Sequence, residues 1–175
     1  MDEGLRQELL ARREVDQRIR RLASPPKGQN IARLPDEVAA QWQRIDKRNT
    51  RWLGEVLAVR GWPGRTMVGE DGAQAAWLLA QHADGDLVLQ RAFLGALRDA
   101  VARGEASPAH LAYLEDRVRV GEGKPQLYGT QFTIIDGELG ACPIEDPQRL
   151  DERRAEAGLE AFAVYEARIR ESPAS

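Results

Sequence analysis

Two histidines, His82 and His110, and one cysteine, Cys142, are the whole supply of soft metal ligands in a chain of 175 residues. They stand far apart, no His-Glu-x-x-His pair joins them, and no Gly-x-Gly-x-x-Gly or P-loop offers a phosphate cradle. The expectation is therefore a protein without metal or cofactor, and the chemistry these residue types permit is proton transfer. His82 closes an apolar block and is followed at once by Asp84 and Asp86. An imidazole at a helix C-terminus beside carboxylates can be held near neutrality, where it gives and takes protons readily. The plainer role for His82 is a cap on its own helix, bonded to Asp86.

Two further groups of polar residues stand out. In Gln126-Leu127-Tyr128-Gly129-Thr130-Gln131, four hydrogen-bonding side chains surround a glycine that would let the backbone approach a ligand closely. The same side chains could instead satisfy helix ends and a strand edge. Asp46 and Asn49 fall on or beside an apolar stripe, where an unpaired polar group costs about 1–3 kcal/mol. The expected partner is Arg117 or the pair Arg153-Arg154. The candidate catalytic set is thus His82, with Asp46 or Asp84 to orient it. Asn49, Trp77, Gln81, Gln126, Tyr128, Thr130, Gln131 and Arg154 are the candidate substrate contacts.

The elements that must position these groups are mostly helices. Apolar residues at Leu5, Leu9, Val15, Ile19 and Leu22 predict an amphipathic helix over 5–22, ended by the breaker run at 23–28. Val38, Trp42, Ile45, Asn49, Trp52, Val56 and Val59 alternate steps of four and three, a seam for a second helix over 36–59. The block Ala75-Ala76-Trp77-Leu78-Leu79-Ala80 is apolar on all sides and predicts a central helix over 72–83. A fourth helix is expected over 87–103, its stripe Gln90, Phe93, Leu94, Leu97 and Val101. A fifth starts at Ser107-Pro108 and carries Leu111, Leu114 and Val118. Asp136-Gly137 between short β-prone runs predicts a hairpin at about 131–142. A short helix after Asp146-Pro147 closes at Gly158, and a last one over 159–170 turns Phe162, Tyr165 and Ile169 inward. The fold class is mainly α: one domain, a helical bundle with a short hairpin. It comprises an N-terminal helix and loop (1–30) and a helical body (31–175).

Composition narrows the function further. With 25 basic against 28 acidic residues, the net charge is −3, which argues against a general nucleic-acid binder. Three of the basic residues are lysines (Lys27, Lys47, Lys124) and the remaining 22 are arginines, a bias that a GC-rich genome explains. The longest apolar run, 75–80, falls far short of the roughly 20 residues that span a bilayer. No signal-peptide pattern opens the sequence, and one cysteine suits a reducing compartment, so the expected location is the cytoplasm.

The strings Arg60-Gly61-Trp62-Pro63, Ala76-Trp77-Leu78, Gln81-His82-Ala83-Asp84, the 126–131 run, Arg153-Arg154 and Gly158-Leu159 together resemble an uncharacterised bacterial domain family of unknown function. That resemblance covers most of the chain after about residue 40. It implies which segments belong together and assigns none of them a role.

Two functions fit these residues. The first is a cofactor-independent enzyme that acts on a small polar metabolite by acid–base chemistry (hydrolysis, elimination or cyclisation) in a helical pocket around His82. The second is a non-catalytic helical module that binds a metabolite or a protein. The N-terminal helix is the candidate surface for a second copy or a protein partner.

Overall fold

Residues 1–23 and 35–171 are described by the computed structural model. Helices α1 (Glu3–Ala23) and α2 (Asp36–Arg60) run antiparallel. Their interface is fixed by two cation–aromatic contacts, with the guanidinium of Arg12 4.2 Å from the Trp52 ring and that of Arg20 4.6 Å from the Trp42 ring. The stripe of α1 is spent inside the molecule: Leu5, Leu9 and Ile19 are buried, while Val15 and Leu22 stay exposed. The breaker run expected after α1 lies, from residue 24 onward, outside the described residues. The α2 seam holds through Ile45 and Asn49, but Val59 is 83% exposed. A straight helix drifts about 20° per heptad from a 3.5-residue repeat, so a seam read over three heptads swings away from its partner.

Helix α3 (Arg65–Gln81) is the centre of the bundle, with Val68, Ala75, Ala76, Leu79 and Ala80 all buried. It starts earlier than the predicted residue 72, because a first turn precedes a kink at Gly69, whose φ of 74° leaves the helical region. Past the kink Asp71 accepts the Gly72 N–H, and the Arg6 guanidinium grips both oxygens of Asp71 at 2.9 and 2.6 Å, tying α1 to the bend. Trp77 is partly exposed rather than central. It lies flat on His110, with ring centroids 4.0 Å apart, and donates its indole N–H to the His110 carbonyl.

Helices α4 (Leu87–Ala102) and α5 (Pro108–Gly121) pack as a pair beside α3. Asp86 caps α4 by accepting the Leu89 N–H at 3.0 Å. Phe93, Leu97 and Leu114 complete a core shared with Leu9, Leu53 and Leu79. Strands β1 (Phe132–Ile135) and β2 (Glu138–Ala141) form an antiparallel hairpin. Its turn places both Asp136 (φ 52°) and Gly137 (φ 85°) in the left-handed region, as a two-residue type I′ turn requires. A 3-10 turn (Pro147–Arg149) leads into α6 (Leu150–Glu156), Gly158 ends it, and α7 (Phe162–Glu171) follows. The chain is thus a single, mainly α domain with one hairpin. No helix among the described residues is long and apolar enough to cross a membrane.

Candidate functional site

Helix α3 ends at His82, whose backbone N–H still bonds the Leu78 carbonyl. Its side chain turns toward α1, and Nδ1 lies 2.9 Å from Oδ1 of Asp16. The orienting carboxylate expected of Asp46 or Asp84 is therefore Asp16, and Asp86 is occupied in capping α4. Asp16 is wholly buried and also accepts from Arg20 at 3.2 Å; Arg20 in turn reaches Asp46 at 2.9 Å. A chain of contacts His82–Asp16–Arg20–Asp46 thus crosses from α3 through α1 to α2. Asp46 finds its partner in Arg20, not in Arg117 or the Arg153-Arg154 pair, because the antiparallel α1–α2 packing sets Arg20 directly opposite it.

Burial sets the protonation states along this chain. It holds the His82 imidazole below its ordinary range even though the Asp16 carboxylate favours the charged form, with Arg20 and Arg117 adding to the depression. At Asp16 burial pushes upward, but His82 and Arg20 outweigh it and the carboxyl titrates below the ordinary range. Asp46 is pushed up to about 6, chiefly by burial and further by Asp16, against the pull of Arg20. At neutral pH the pair is a neutral imidazole and an ionised carboxylate. An ionised carboxylate only accepts hydrogen bonds, so Nδ1 carries the proton and Nε2 presents its lone pair. Nε2 makes no hydrogen bond among the described residues, and 13% of the side chain is exposed.

Next to His82 a cleft of about 250 Å³ is lined by Asp84, Leu87, Arg117, Val120, Gly121 and Gln131. Arg117 donates from Nε and Nη2 to the two oxygens of Asp84, both at 2.8 Å, and from Nη1 to Oε1 of Gln131 at 3.2 Å. Gln90, fully buried, donates to Asp84 at 3.0 Å and to the last carbonyls of α3, which fixes Asp84 to the helix end. Burial pushes the Asp84 carboxyl up, but Arg117 more than reverses this, with His82 a smaller contributor. His82 does not line the cleft; it sits within electrostatic reach of the Arg117–Asp84 pair that does.

Most of the 126–131 run faces the scaffold. Asp116, completely buried on α5, accepts the backbone N–H groups of Leu127 (2.7 Å), Tyr128 (3.0 Å) and Thr130 (2.9 Å) and the Thr130 hydroxyl (2.9 Å). The concave row of amides made around Gly129 (φ 68°), a form that suits an anion, is thereby filled from within. Burial pushes the Asp116 carboxyl up against these four donors, which hold its ionised form. Gln126 is also buried and closes the loop on itself, donating to the Gln131 and Cys142 carbonyls and accepting the Gln131 N–H. Arg153 and Arg154 brace the run from α6 by donating to the Leu127 and Tyr128 carbonyls, respectively. The Arg154 guanidinium is 1% exposed beneath the Tyr165 ring.

The structure joins Asp84 and Gln131 through Arg117, sets His82 near them without contact, and leaves the other candidates dispersed. Asp46 reaches His82 only through Arg20 and Asp16. Asn49 bonds Arg12 in the α1–α2 interface. Trp77 packs on His110, and the Gln81 amide, assigned by its partners, accepts the Leu114 N–H at 2.7 Å. Gln126, Thr130 and Arg154 hold the loop, and Tyr128 leaves a half-buried ring beside it. Asp16, Arg20 and Asp116 were not among the candidates. Asp16 had a signal: positions 5, 9, 12, 16 and 19 step by four and three, so an aspartate stands on the buried face of α1. For Asp116, one carboxylate on an ordinary amphipathic helix, there was none.

No curated protein and no solved structure matches the chain. The model of a family of unknown function, DUF6624, matches residues 3–172, which takes in helices α1 to α7 whole, with the Asp16–His82 pair and the Arg117 cleft. The chain therefore belongs to the DUF6624 family.

Proposed function

We propose that this chain is a cofactor-independent enzyme of the bacterial cytoplasm that acts on a small polar metabolite, with His82 as its general base. The observation that carries this reading is the 2.9 Å contact between His82 Nδ1 and the buried Asp16 carboxylate. Such a carboxylate fixes the imidazole tautomer and stabilises the imidazolium formed when Nε2 takes a proton. The depressed basicity of His82 keeps the lone pair available at neutral pH. One end of the substrate would be held in the cleft at Asp84, Arg117 and Gln131, its reacting atom would extend beyond that lining to Nε2 of His82, and Asp46 would act at a distance, through Arg20. Nε2 would take a proton from a substrate C–H in an elimination, from the substrate's own nucleophile in a cyclisation or from water in a hydrolysis, and the imidazolium would return it to the leaving group as the bond to that group breaks.

The test is turnover of a metabolite mixture followed by NMR. The wild-type chain should consume at least one component, and His82→Asn should slow that consumption by about 10²- to 10⁴-fold while the fold persists. Asp16→Asn should slow it as well, because an amide no longer stabilises the imidazolium. Binding without turnover in the wild type establishes the non-catalytic module instead, and a wild-type rate in His82→Asn removes His82 as the base.

A further inference from the structure

Arg117 is braced along one edge and open along another. Asp84 occupies the edge formed by Nε and Nη2 with two hydrogen bonds of 2.8 Å. The end formed by Nη1 and Nη2 carries one contact among the described residues, the Gln131 amide oxygen 3.2 Å from Nη1. A guanidinium has five N–H donors, and three are spoken for here. Arg117, with its partners Asp84 and Gln131, belongs to the wall of the cleft whose other lining is Leu87, Val120 and Gly121. The glycine matters, since a Cβ at position 121 would stand 2.8 Å from Leu87 Cδ2 and push that side chain out of place.

We infer that this cleft binds the carboxylate of a small monocarboxylic acid on the open end of Arg117, with the acid's carbon chain against Leu87 and Val120. This rests on the function proposed above and names its substrate class. The fork of an arginine matches two carboxylate oxygens in plane, and Asp84 holds that fork in one orientation. Gln131 now lays a neutral oxygen where one ligand oxygen would sit, and its Nε2, which donates to the Thr130 hydroxyl at 3.0 Å, would leave that bond to donate to the ligand instead. A carboxylate suits the charge better than a phosphate dianion, because Arg117 already shares its charge with Asp84. The volume, about 250 Å³, lies below the roughly 300–1,000 Å³ of drug-sized pockets, which selects a small acid. The ligand's negative charge would offset the Arg117 charge that depresses His82, so occupancy of the cleft reaches the base.

The experiment uses the full chain, with methyl resonances of Leu87 and Val120 and the Arg117 Nε–H followed by NMR during titration with acetate, propionate, butyrate and inorganic phosphate. Saturable shifts at millimolar concentration are expected for the carboxylates, tightening from acetate to butyrate and weaker for phosphate. Arg117→Lys, which keeps the charge and loses the fork, should weaken butyrate binding by about tenfold or more. Gln131→Glu places an internal carboxylate on the same end, gives up the Nε2 bond to the Thr130 hydroxyl and should abolish binding while the chain still folds, so the test survives if Arg117→Lys fails to fold. Absence of saturable shifts, equal affinity in Gln131→Glu, or a preference for phosphate overturns the inference. The two ideas fail separately. Carboxylates that bind through Arg117 while His82→Asn turns over at the wild-type rate leave the ligand class standing and remove the base. Turnover that needs His82 in a chain that binds no carboxylate does the reverse.

Discussion

Asp16→Asn isolates the contact on which the functional reading depends. The substitution keeps the size of the side chain and removes a charge from a site with no solvent exposure. Losing one member of a buried ion pair usually costs about 3–5 kcal/mol, because the partner charge is stranded. Two features lower that figure here. His82 is the neutral partner, so Asn Oδ1 can still accept from Nδ1–H, and Arg20 keeps Asp46 at 2.9 Å. What is lost is the extra strength of hydrogen bonds to a charged acceptor, about 1–3 kcal/mol in all. For a domain of this size that lowers Tm by about 2–4 °C per kcal/mol. The same change moves His82 in a defined direction. Asp16 is the group that favours its imidazolium against burial, so without it the imidazole should titrate lower still. The assay is a urea denaturation series at pH 7 together with an NMR titration of the imidazole resonances, where His110 is the internal control. An unchanged or raised His82 pKa, whatever the stability, would refute the claim that Asp16 governs its protonation.

The remaining expectations concern other buried polar groups and one aromatic. Asp46, raised to about 6, binds a proton more readily folded than unfolded, so its ionisation costs stability at pH 7 and that cost is relieved as the pH falls through 6. His82, depressed, works the other way: its contribution is present above the unfolded pKa and is lost as the pH falls. Asp46→Asn should therefore lose more stability than the wild type between pH 7 and pH 5 in urea denaturation; a parallel loss refutes the assignment. Asp116→Ala strands three backbone N–H groups and a hydroxyl and should cost more than about 3 kcal/mol by denaturant midpoint. Trp77→Ala should cost less than the roughly 3–5 kcal/mol of a fully buried tryptophan, since the ring is partly exposed on His110; a loss at or above that range places the ring in the core.

The fold was legible where local chemistry and tertiary packing agree. Ser107-Pro108 announces α5, and Asp136-Gly137 dictates a turn that few other dipeptides can make. Gly104 and Gly158 end helices for the same reason, by accepting a positive φ. Legibility failed where a signal of one length scale was read at another. The Gly69 kink makes a single chain segment look like a loop followed by a helix from residue 72, and the extra turn at 65–68 is held by contacts remote in sequence. The bond of Thr66 N–H to Glu105, 39 residues away, is one of them. At the other end, the run after Gly158 reads as helix from Leu159, yet the first turn waits for Phe162. Its N–H is capped by Asp151 of α6, and Leu159 is still bonded back to the Arg154 carbonyl.

The site was legible in part for a related reason. A residue that does chemistry and a residue that braces a loop are the same types, and only direction separates them. Gln126 and Thr130 stand out as polar side chains in a glycine-containing run, and Arg154 as an expected partner of Asp46; each is instead spent on the scaffold, where the backbone of the loop and α6 need partners. Asp16 escaped notice because it stands among charges on a helix that is charged at nearly every other position. Its place on the 5, 9, 12, 16, 19 stripe set it apart. A carboxylate on such a stripe must either be paired in the core or cost the fold dearly, and its partners are groups of the facing helices that no spacing in the sequence reveals. His82 could be picked out from its own helix, but its tautomer and its depressed basicity come from α1, 66 residues away in the chain. The function assigned to His82 is thus a property of the α1–α3 packing, and any change that shifts α1 along α3 should disable the base without touching the cleft.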